Sequence, residues 1–479
     1  MTVIPIRKTK IVATVGPASD SIRTLEEMIL AGMSVARLNL SHGTYEEHKR
    51  RIERIRQASN NLMTPVAIMI DTRGVEIRTG KMREGPVELI SGDNFSLYTD
   101  GRAGDQQGVS VTYQRLHQEV KPGEVILLDD GALELTVQSI ADREVRCNVV
   151  LGGVLKENKG VNLPNTQLSM TAVEPEHRDD ILQELTFAVE NDVDYIAASF
   201  IQDADEVKRM REILIEKGVD IPIIAKIENR AGINNLETIV VAADGIMVAR
   251  GDMGVELPMA DVPSMQKKII RITVSNGKPV ITATQMLASM EQNPKPTRAE
   301  ASDVANAILD GSSAVMLSGE SAMGKYPVEA VKTMDMLAIR TEASLGEYGY
   351  LQHIIPHPSH VVTEAVSRST VDMAGQLKAA AIISLTASGF TSRLVSKHRP
   401  DCPILAVTQS SRVTRRLCMN WGVIPILYND EITDDAKIAY GLAMGRRRGI
   451  LTSGDIVIVT CGHSQKTGGT DLIRVITVE

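Results

Sequence analysis

Residues 223–230 read IIAKIENR, an apolar run that ends in Lys226 and Glu228. Strands buried on both faces form near-continuous apolar runs, and residues i and i+2 of a strand share a face. Lys226 and Glu228 are therefore expected to point the same way. The sequence contains eight such runs rich in Val and Ile, which begin at Thr9, Ser34, Pro65, Val193, Ile221, Gly245, Lys278 and Ser312.

Amphipathic helices are predicted between these runs. Residues 23–32 and 205–218 carry apolar side chains at three- and four-residue spacing, and each segment ends in Gly. Glycine in that place is a common helix-ending signal. Buried strands that alternate with helices eight times predict a (β/α)8 TIM barrel, whose functional groups gather at the C-terminal ends of the strands.

Two regions depart from the barrel pattern. Residues 73–170 carry short β-rich runs, and Asp130-Gly131 between two of them is a hairpin signal. We predict an inserted β-rich lid domain, although an inert insertion fits the same pattern. Further strand candidates after residue 346 alternate with helical stretches and predict a C-terminal α/β domain. The predicted boundaries are 1–72 with 171–345 for the barrel, 73–170 for the lid and 346–479 for the C-terminal domain.

Composition excludes several classes of protein. The chain has 479 residues, a net charge of -8 and only 3% aromatic residues, which disfavours binding to nucleic acid. Its four cysteines are scattered, so neither a disulfide framework nor a zinc site is expected. No apolar stretch is long enough to predict a membrane span, and a cytoplasmic location is the simplest expectation.

Polar side chains follow nearly every predicted barrel strand. Strands often end in polar residues where they surface, and that explanation suffices for any single run. The repetition favours one convergent site, with Arg250 and Asp252 expected to share a face as Lys226 and Glu228 do. The strand-end residues are Arg37, Asn39, Ser41, Asp71, Thr72, Ser199, Lys226, Glu228, Arg250, Asp252, Thr284, Ser318 and Glu320.

The residue types at these positions indicate the chemistry. Glu228 and Asp252 offer hard oxygen ligands that suit Mg2+ or Mn2+. Lys226 and Arg37 add positive charge and favour an anionic, phosphorylated substrate. Gly251 permits close backbone approach, and a helix that starts there would offer N–H groups to a carboxylate. These observations predict a metal-assisted barrel enzyme that acts on an anion.

At these same residues the chain resembles the pyruvate kinase family, along nearly its whole length. The stretches that carry the resemblance include TKIVATVGPAS, ARLNLSHG, DTRGVEIRTG, KGVNLP, DYIAASF, AKIEN, VARGDMGVELP, ATQMLASM, TASGFTSR and the long segment from Pro296 to Val331. The resemblance implies a barrel with an inserted lid and a C-terminal regulatory domain. It also implies a cytoplasmic homotetramer that transfers the phosphoryl group of phosphoenolpyruvate to ADP in glycolysis, giving pyruvate and ATP.

The resemblance assigns a role to each matching residue. It implies that Lys226 stabilises the transferring phosphoryl group while Glu228 and Asp252 hold Mg2+, with a second Mg2+ arriving on the nucleotide. Gly251, Asp252 and Thr284 would bind the substrate carboxylate, and Thr284 would orient a proton-relaying water with Ser318 nearby. The phosphate contact would come from Arg37, and the nucleotide contacts from Asn39, His42, Arg78 and Lys159. The alternatives are a helix-start cap for His42 and a buried salt bridge for Lys226 with Glu228.

Two further sites follow from the resemblance. Asn39, Ser41, Asp71 and the Thr72 carbonyl match the family's K+ site. Glu76 stands where K+-dependent members have Glu and K+-independent members generally have Lys, so K+ dependence is expected. The effector loop would use Thr386, Ser388, Gly389 and Thr391, although an ordinary Ser/Thr helix cap explains the same residues.

The loop GHSQKTGGT (462–470) bears on the identity of the effector. It has Ser464 in place of the arginine found in members activated by fructose 1,6-bisphosphate, with Lys466 close by. A sugar monophosphate or AMP is therefore expected as the effector. Departures from the family pattern are Arg73 for Lys, Val75 for Pro, Leu40 for Phe, His177 for Asp and Asn165 for Gly.

Three other functions fit parts of the pattern. A class I aldolase would use Lys226 as a Schiff base but would not need two metal carboxylates. An Mg2+-dependent lyase or mutase acting on an enolpyruvate-like substrate would use the same carboxylates without ADP. A non-catalytic sensor of phosphorylated metabolites would need only the C-terminal loop.

Overall fold

Eight parallel strands form a closed barrel in the computed structural model, which describes residues 6–166, 168–171, 173, 178–349, 360–430, 433–462 and 469–479. His177, Ser464 and Lys466 lie outside the described residues. The first three barrel strands are β1 (Lys10–Thr14), β2 (Val35–Asn39) and β3 (Ala67–Asp71). After the lid come β12 (Tyr195–Ala198), β13 (Ile223–Ile227), β14 (Gly245–Ala249), β15 (Val280–Ala283) and β16 (Ala314–Leu317).

The strand prediction is confirmed for all eight runs. Each strand pairs with its neighbours in the order β1-β16-β15-β14-β13-β12-β3-β2, and β2 closes the barrel on β1. Apolar side chains fill the interior, among them Met69, Ile224 and Met316. Cys418 and Met419 from the C-terminal domain join this cluster, so a segment from outside the barrel helps to seal its N-terminal end.

The barrel helices pack around the strands. The predicted glycine endings are confirmed, because Gly32 and Gly218 follow the last helical turns with φ of 117° and 75°. Before and directly after the lid the helices are α1 (Ile22–Leu30), α2 (Tyr45–Asn61), α4 (Arg178–Glu190), α5 (Ala204–Glu216), α6 (Arg230–Asn234) and α7 (Leu236–Ala242). The later ones are α8 (Arg250–Glu256), α9 (Val262–Ser275), α10 (Arg298–Leu309), α11 (Gly319–Ala322), α12 (Pro327–Glu342) and α13 (Leu345–Tyr348), with a 3-10 turn at Ala288–Glu291.

The lid is a β domain with its own apolar core. Its predicted hairpin is confirmed, and the turn between its strands has left-handed φ values at Asp129, Asp130 and Gly131. Phe95 and Leu135 are fully buried inside it. The lid strands are β4 (Val87–Leu89), β5 (Asn94–Tyr98), β6 (Gly108–Ser110), β7 (Val125–Leu128), β8 (Leu133–Ala141), β9 (Glu144–Leu151), β10 (Gly153–Leu155) and β11 (Val161–Asn162), with one short helix, α3 (Leu116–Glu119).

The C-terminal domain is a five-stranded α/β sheet, as predicted. Its order is β19-β18-β17-β20-β21, and only the edge strand β21 runs antiparallel. The strands are β17 (Ala381–Leu385), β18 (Ile404–Thr408), β19 (Val423–Leu427), β20 (Ile456–Cys461) and β21 (Leu472–Thr477). The helices are α14 (Val361–Gln376), α15 (Phe390–Lys397), α16 (Ser411–Arg416) and α17 (Asp434–Arg447), with a 3-10 turn at Leu417–Met419. No helix in the described part of the chain is long and apolar enough to span a membrane.

Candidate active site

Lys226 lies in a buried cluster of oxygens at the C-terminal end of β13. Its Nζ lies 3.0 Å from Asp71 Oδ1, 2.7 Å from Ser199 Oγ and 2.9 Å from Glu228 Oε1. The last of these is a charge contact, because its geometry is not that of an aligned hydrogen bond. Lys226 and Glu228 share a face as predicted, and the buried salt bridge considered as the alternative is present.

Residues from neighbouring strands complete this cluster. Arg37 Nε donates to Asp71 Oδ2 over 2.7 Å, and Arg37 Nη1 donates to Thr14 Oγ1 over 2.9 Å. Ser199 Oγ lies 2.7 Å from the Thr72 carbonyl oxygen and 3.2 Å from Asp71 Oδ1. The ends of β1, β2, β3, β12 and β13 therefore bring two cations, two carboxylates and two hydroxyls together.

The neighbours of Lys226 decide its charge. Burial acts to lower the pKa of Lys226, but the carboxylates of Asp71 and Glu228 outweigh it and raise that pKa above the ordinary lysine value. Lys10 is equally buried at the opposite end of the barrel, and there burial lowers the pKa to about 8. Burial raises the pKa of Glu228 to about 7 against the opposing effect of Lys226. The cluster therefore keeps the Lys226 ammonium charged to a higher pH than burial alone would allow.

Arg250 and Asp252 do not share a face, so that expectation is wrong. The strand β14 ends at Ala249 and the chain turns at once into α8, where residues i and i+2 diverge. Arg250 points back into the barrel wall, with Nη1 donating to Asp303 Oδ1 over 2.7 Å and Nε donating to the Ala283 carbonyl over 3.2 Å. Asp252 instead lines the cavity beside the cluster.

Thr284 and Ser318 lie at the ends of the next two strands. Thr284 Oγ1 accepts a hydrogen bond from the Gly251 N–H over 2.8 Å, so this structure satisfies the N–H that was expected to face a carboxylate. Thr284 has a left-handed φ of 69°, which a β-branched residue rarely adopts and which commonly marks a functional site. Ser318 Oγ is buried and has no hydrogen-bond partner among the described residues, while its N–H donates to Glu320 Oε2 over 2.7 Å.

A cavity of about 800 Å3 lies between the barrel and the lid. Asp252 and Ser199 line its barrel side, and Arg78 and Lys159 line its lid side. Arg78 and Lys159 are each paired with a carboxylate of the lid in this structure. Lys159 Nζ lies 2.8 Å from Asp129 Oδ1, and Arg78 Nη2 donates to Glu76 Oε2 over 2.5 Å. Two of the four predicted nucleotide contacts therefore face the same cavity as the predicted metal ligand Asp252.

The other two predicted nucleotide contacts lie on the loop after β2. Asn39 and His42 are not among the described residues that line the cavity. The cap alternative for His42 is wrong, because Thr44 caps α2 and forms a capping box with Glu47. The buried ring of His48 instead contacts the His42 carbonyl, with Nε2 at 2.8 Å.

The donor atoms suit the ions that the sequence predicts. Glu228 Oε2 accepts from the Phe200 N–H over 2.6 Å, whereas Oε1 accepts no aligned hydrogen bond from the described residues. Oε1 lies 2.9 Å from the Lys226 ammonium, so it would bind a divalent cation by sharing its lone pairs with that charge contact. The described residues contain no group of three or more His, Cys, Asp or Glu side chains placed to hold a metal ion. Bound by Glu228 and Asp252, Mg2+ would take its remaining ligands from water and substrate.

The predicted K+ donors come from two adjacent strand ends. Asn39 and Asp71 are paired positions of β2 and β3. Ser41 N–H donates to Asn39 Oδ1 over 3.1 Å, which folds the loop back toward the strand ends. Thr72 follows Asp71 directly. A carboxylate, an amide, a hydroxyl and a carbonyl are hard oxygen donors of the kind that can replace the hydration shell of K+.

The predicted effector loop lies between β17 and α15. Gly389 has a φ of 82° and occupies the N-cap of α15, where no side chain caps the helix. The Ser/Thr cap alternative is therefore wrong. Thr386 Oγ1 accepts from the Gly389 N–H over 2.9 Å, and Thr391 Oγ1 lies 2.6 Å from Thr470 Oγ1. Ser388 stands between these two contacts, with its carbonyl accepting from Arg393 over 3.4 Å.

Sequence reasoning placed Ser199 among the strand-end residues of the convergent site but assigned it no role, and it did not single out Phe200. Ser199 joins Lys226, Asp71 and Thr72 through its one hydroxyl, and the Phe200 N–H holds Glu228. The only available signal for Ser199 was its place after an apolar run, which many structural serines share. Its partners come from other strands, so their proximity becomes visible only in the closed barrel.

Comparison with known proteins agrees with this architecture. The family model described as pyruvate kinase, barrel domain, matches residues 6–331, and the model described as pyruvate kinase, alpha/beta domain, matches residues 364–476. A pyruvate kinase from Geobacillus stearothermophilus is 46% identical over 98% of this chain and 80% of its own length. Pyruvate kinases from Staphylococcus aureus strain MRSA252 and Bacillus licheniformis are 45% and 44% identical, over 98% and 99% of this chain and 80% and 81% of their own lengths. The chain belongs to the pyruvate kinase family of phosphotransferases.

Proposed function

We propose that this chain transfers the phosphoryl group of phosphoenolpyruvate to ADP at the Lys226 cluster, giving pyruvate and ATP. The observation that carries the proposal is the buried ammonium of Lys226, which oxygens of Asp71, Ser199 and Glu228 hold at 2.7 to 3.0 Å beside a cavity lined by Asp252. Family membership supplies the reaction, and this geometry supports the assignment of Lys226 to it.

Lys226 provides a charge that is fixed before the substrate arrives. Its contacts set the position of Nζ, and the carboxylates keep it protonated. Phosphoryl transfer depends mainly on positioning and charge stabilisation, and groups that need no reorganisation are the most effective. An ammonium about 4 Å from a phosphoryl oxygen contributes roughly 4 kcal/mol at an effective dielectric constant of about 20. Realised only in the transition state, that is roughly a thousandfold in rate.

Glu228 and Asp252 would hold Mg2+ (or Mn2+) at the edge of the cavity. A bound divalent cation supplies charge neutralisation for the phosphoryl oxygens and orientation of the substrate. Arg37 lies on the opposite side of Asp71 from Lys226, where it adds a second positive charge toward the phosphate. Arg78 and Lys159 would turn from their lid carboxylates to the nucleotide phosphates, with Asn39 and His42 contacting the nucleotide from the loop after β2.

Protonation of the enolate would use the far side of the site. Thr284 Oγ1 is fixed between the Gly251 N–H and the Ala283 carbonyl, so it can position a water molecule against the enolate carbon. The buried Ser318 hydroxyl has unused hydrogen-bonding capacity among the described residues, which suits a member of the relay. The Gly251 N–H would have to leave Thr284 Oγ1 to bind the substrate carboxylate together with Asp252 and Thr284.

The finer features of the proposal concern ions, effector and assembly. Asn39, Ser41, Asp71 and the Thr72 carbonyl would bind K+, and Glu76 supports K+ dependence. The uncapped first turn of α15 supports a phosphate-bearing effector at Thr386, Ser388, Gly389 and Thr391. A sugar monophosphate or AMP remains the prediction over fructose 1,6-bisphosphate. A cytoplasmic location and a homotetrameric assembly also stay predictions, and light scattering tests the latter.

The test is pyruvate formation from phosphoenolpyruvate with Mg2+, with and without ADP and K+. Wild type should require ADP and respond to K+, and Lys226→Met should lose about a thousandfold in kcat/KM. Lys10→Met is the matched control, because Lys10 is as buried as Lys226 but lies at the other end of the barrel. Equal losses in the two variants would show that lost packing explains the effect. Product without ADP would favour the lyase, and no product even with sugar phosphates or AMP would favour the sensor.

A further inference from the structure

The peptide between Thr72 and Arg73 is held from both sides. The Thr72 carbonyl oxygen accepts a hydrogen bond from Ser199 Oγ over 2.7 Å. The Arg73 N–H donates to Glu184 Oε1 over 3.2 Å. Glu184 lies on α4, more than one hundred residues further along the chain and beyond the lid. One peptide plane is therefore fixed by a strand end and by the helix that follows the lid.

The Arg73 side chain extends this contact to the loop after β2. Its Nε donates to the Leu40 carbonyl over 2.8 Å and lies 3.7 Å from Glu184 Oε1. Its guanidinium carbon lies 5.4 Å from the centre of the Tyr45 ring. Leu40 stands between the predicted K+ donors Asn39 and Ser41. Arg73 therefore links this loop, as well as the Thr72–Arg73 peptide, to the carboxylate of Glu184.

The burial of the Glu184 carboxylate is energetically unfavourable. It is 3% exposed, and burial raises its pKa to about 7 although the Arg73 N–H and guanidinium oppose that rise. Asp180 and Asp71 add negative charge nearby, which makes an ionised Glu184 still more costly. The proposed phosphoryl-transfer steps do not use this carboxylate.

We propose that Glu184 is a positioning residue for the K+ site, which holds the Thr72–Arg73 peptide so that the Thr72 carbonyl faces the ion. This inference rests on the proposed K+ site. A hydrogen bond from an amide N–H to a carboxylate polarises the amide, and the carbonyl oxygen of that amide becomes a better ligand for a cation. Through Arg73 the same carboxylate also restrains Leu40, beside the donors Asn39 and Ser41. A helix that begins just after the lid thus shapes the ion site.

The test is a K+ titration of Glu184→Gln at a pH well above 7, where Glu184 is ionised, because this variant keeps the shape and the acceptor oxygen but removes the charge. Because charge-assisted hydrogen bonds are roughly twice as strong as neutral ones, the K+ concentration for half-activation should rise about 3- to 10-fold. The kcat at saturating K+ should stay within about twofold. Melting temperature should also be measured without substrates as a function of K+ concentration, at constant ionic strength with tetramethylammonium chloride. The K+ concentration needed for a given rise in melting temperature should increase by the same factor in the variant.

Glu206→Gln is the matched control. Glu206 is 2% exposed on the neighbouring helix α5, burial raises its pKa to about 7, and its carboxylate accepts from the Gln202 N–H over 2.9 Å. It does not contact the Thr72–Arg73 peptide, so its variant should keep the wild-type K+ midpoint. An equal shift in both variants would show that the effect comes from removing any buried carboxylate and would overturn the inference.

The remaining outcomes separate the inference from the function on which it rests. A wild type that depends on K+ beside a Glu184→Gln variant with the same midpoint would overturn the inference alone. A wild type whose activity and melting temperature are identical in K+ and tetramethylammonium would remove the K+ site, and the inference with it. If Glu184→Gln does not fold, Glu184→Asp withdraws the charge by one methylene, and an unchanged midpoint there would also refute the role of Glu184.

Discussion

Ser199→Ala isolates one hydrogen bond of the Lys226 cluster. The Ser199 hydroxyl accepts from Lys226 Nζ over 2.7 Å and has the Thr72 carbonyl at 2.7 Å as its own acceptor. Removing it leaves Lys226 with its two carboxylate contacts, so the ammonium should stay charged. The position of the ammonium should become less restrained. The Thr72 carbonyl should lose its hydrogen bond from Ser199, while the Arg73 N–H of the same peptide keeps its hydrogen bond to Glu184.

The size of the effect follows from the partner's charge. A hydrogen bond to a charged group contributes about 1.5–3 kcal/mol, against about 1 kcal/mol for a neutral pair. If the loss falls on the transition state, kcat/KM for phosphoenolpyruvate should decrease roughly 10- to 150-fold. The loss should exceed that expected for a neutral hydrogen bond and should remain smaller than that of Lys226→Met.

The assay compares kcat/KM and unfolding free energy for Ser199→Ala and Ser59→Ala. Ser59 is also a buried serine whose hydroxyl donates to a backbone carbonyl, that of Thr64, over 2.6 Å. Its hydroxyl has no charged partner among the described residues. Ser59→Ala should lose about 1 kcal/mol of stability and Ser199→Ala up to about 1.5–3 kcal/mol, and only Ser199→Ala should lose activity beyond about twofold. A Ser199→Ala variant with kcat/KM within twofold of wild type would refute the claim that this hydroxyl positions Lys226.

Three further predictions concern other parts of the chain. Gly74 has a φ of 70°, and a Cβ added there would lie 2.5 Å from the Phe200 ring. Gly74→Ala should therefore lower kcat and destabilise the protein by at least about 1–2 kcal/mol in urea unfolding, and unchanged stability would refute this strain. Burial pushes the pKa of Glu364 up, but hydrogen bonds from His398 and Lys397 hold it below the ordinary value. The unfolding free energy should therefore fall as the pH drops through that lowered pKa, and Glu364→Gln should flatten this decline. An equally steep decline in the variant would show that Glu364 does not contribute to it. All four cysteines are buried free thiols, and burial raises their pKa values. A thiol reagent should therefore label the native protein far more slowly than the urea-unfolded protein, and rapid labelling of the native protein would contradict their burial.

The parts of the fold that sequence predicts well are those set by local pattern. The eight barrel strands were predictable because parallel strands buried on both faces form continuous apolar runs. The i, i+2 rule placed Lys226 and Glu228 together correctly because β13 remains a strand through Ile227. The same rule failed for Arg250 and Asp252, because the chain becomes helical at Arg250 and the period of the side chains changes.

The parts that sequence could not predict depend on distant contacts. Glu184 has the pattern of an ordinary helical glutamate, yet it is buried against a peptide from the other side of the lid. Ser199 was among the predicted strand-end residues, but it carries no charge that would single out its contact with Lys226. A single sequence gives no measure of which far positions meet, so residues that act by holding other residues are the hardest to identify.

The ion pair between Lys226 and Glu228 is compatible with catalysis as well as with stability. Burying charges costs free energy that their mutual attraction repays incompletely, so a cluster needed only for stability would gain little over apolar side chains. The resting contacts keep Lys226 charged and in place, while Glu228 Oε1 accepts no aligned hydrogen bond from the described residues. An incoming phosphoryl group would compete with the carboxylates for the ammonium. Under the proposed function, Lys226 would speed the transfer to the extent that its contact with the phosphoryl group is stronger in the transition state than in the bound substrate, which is the difference that catalysis requires.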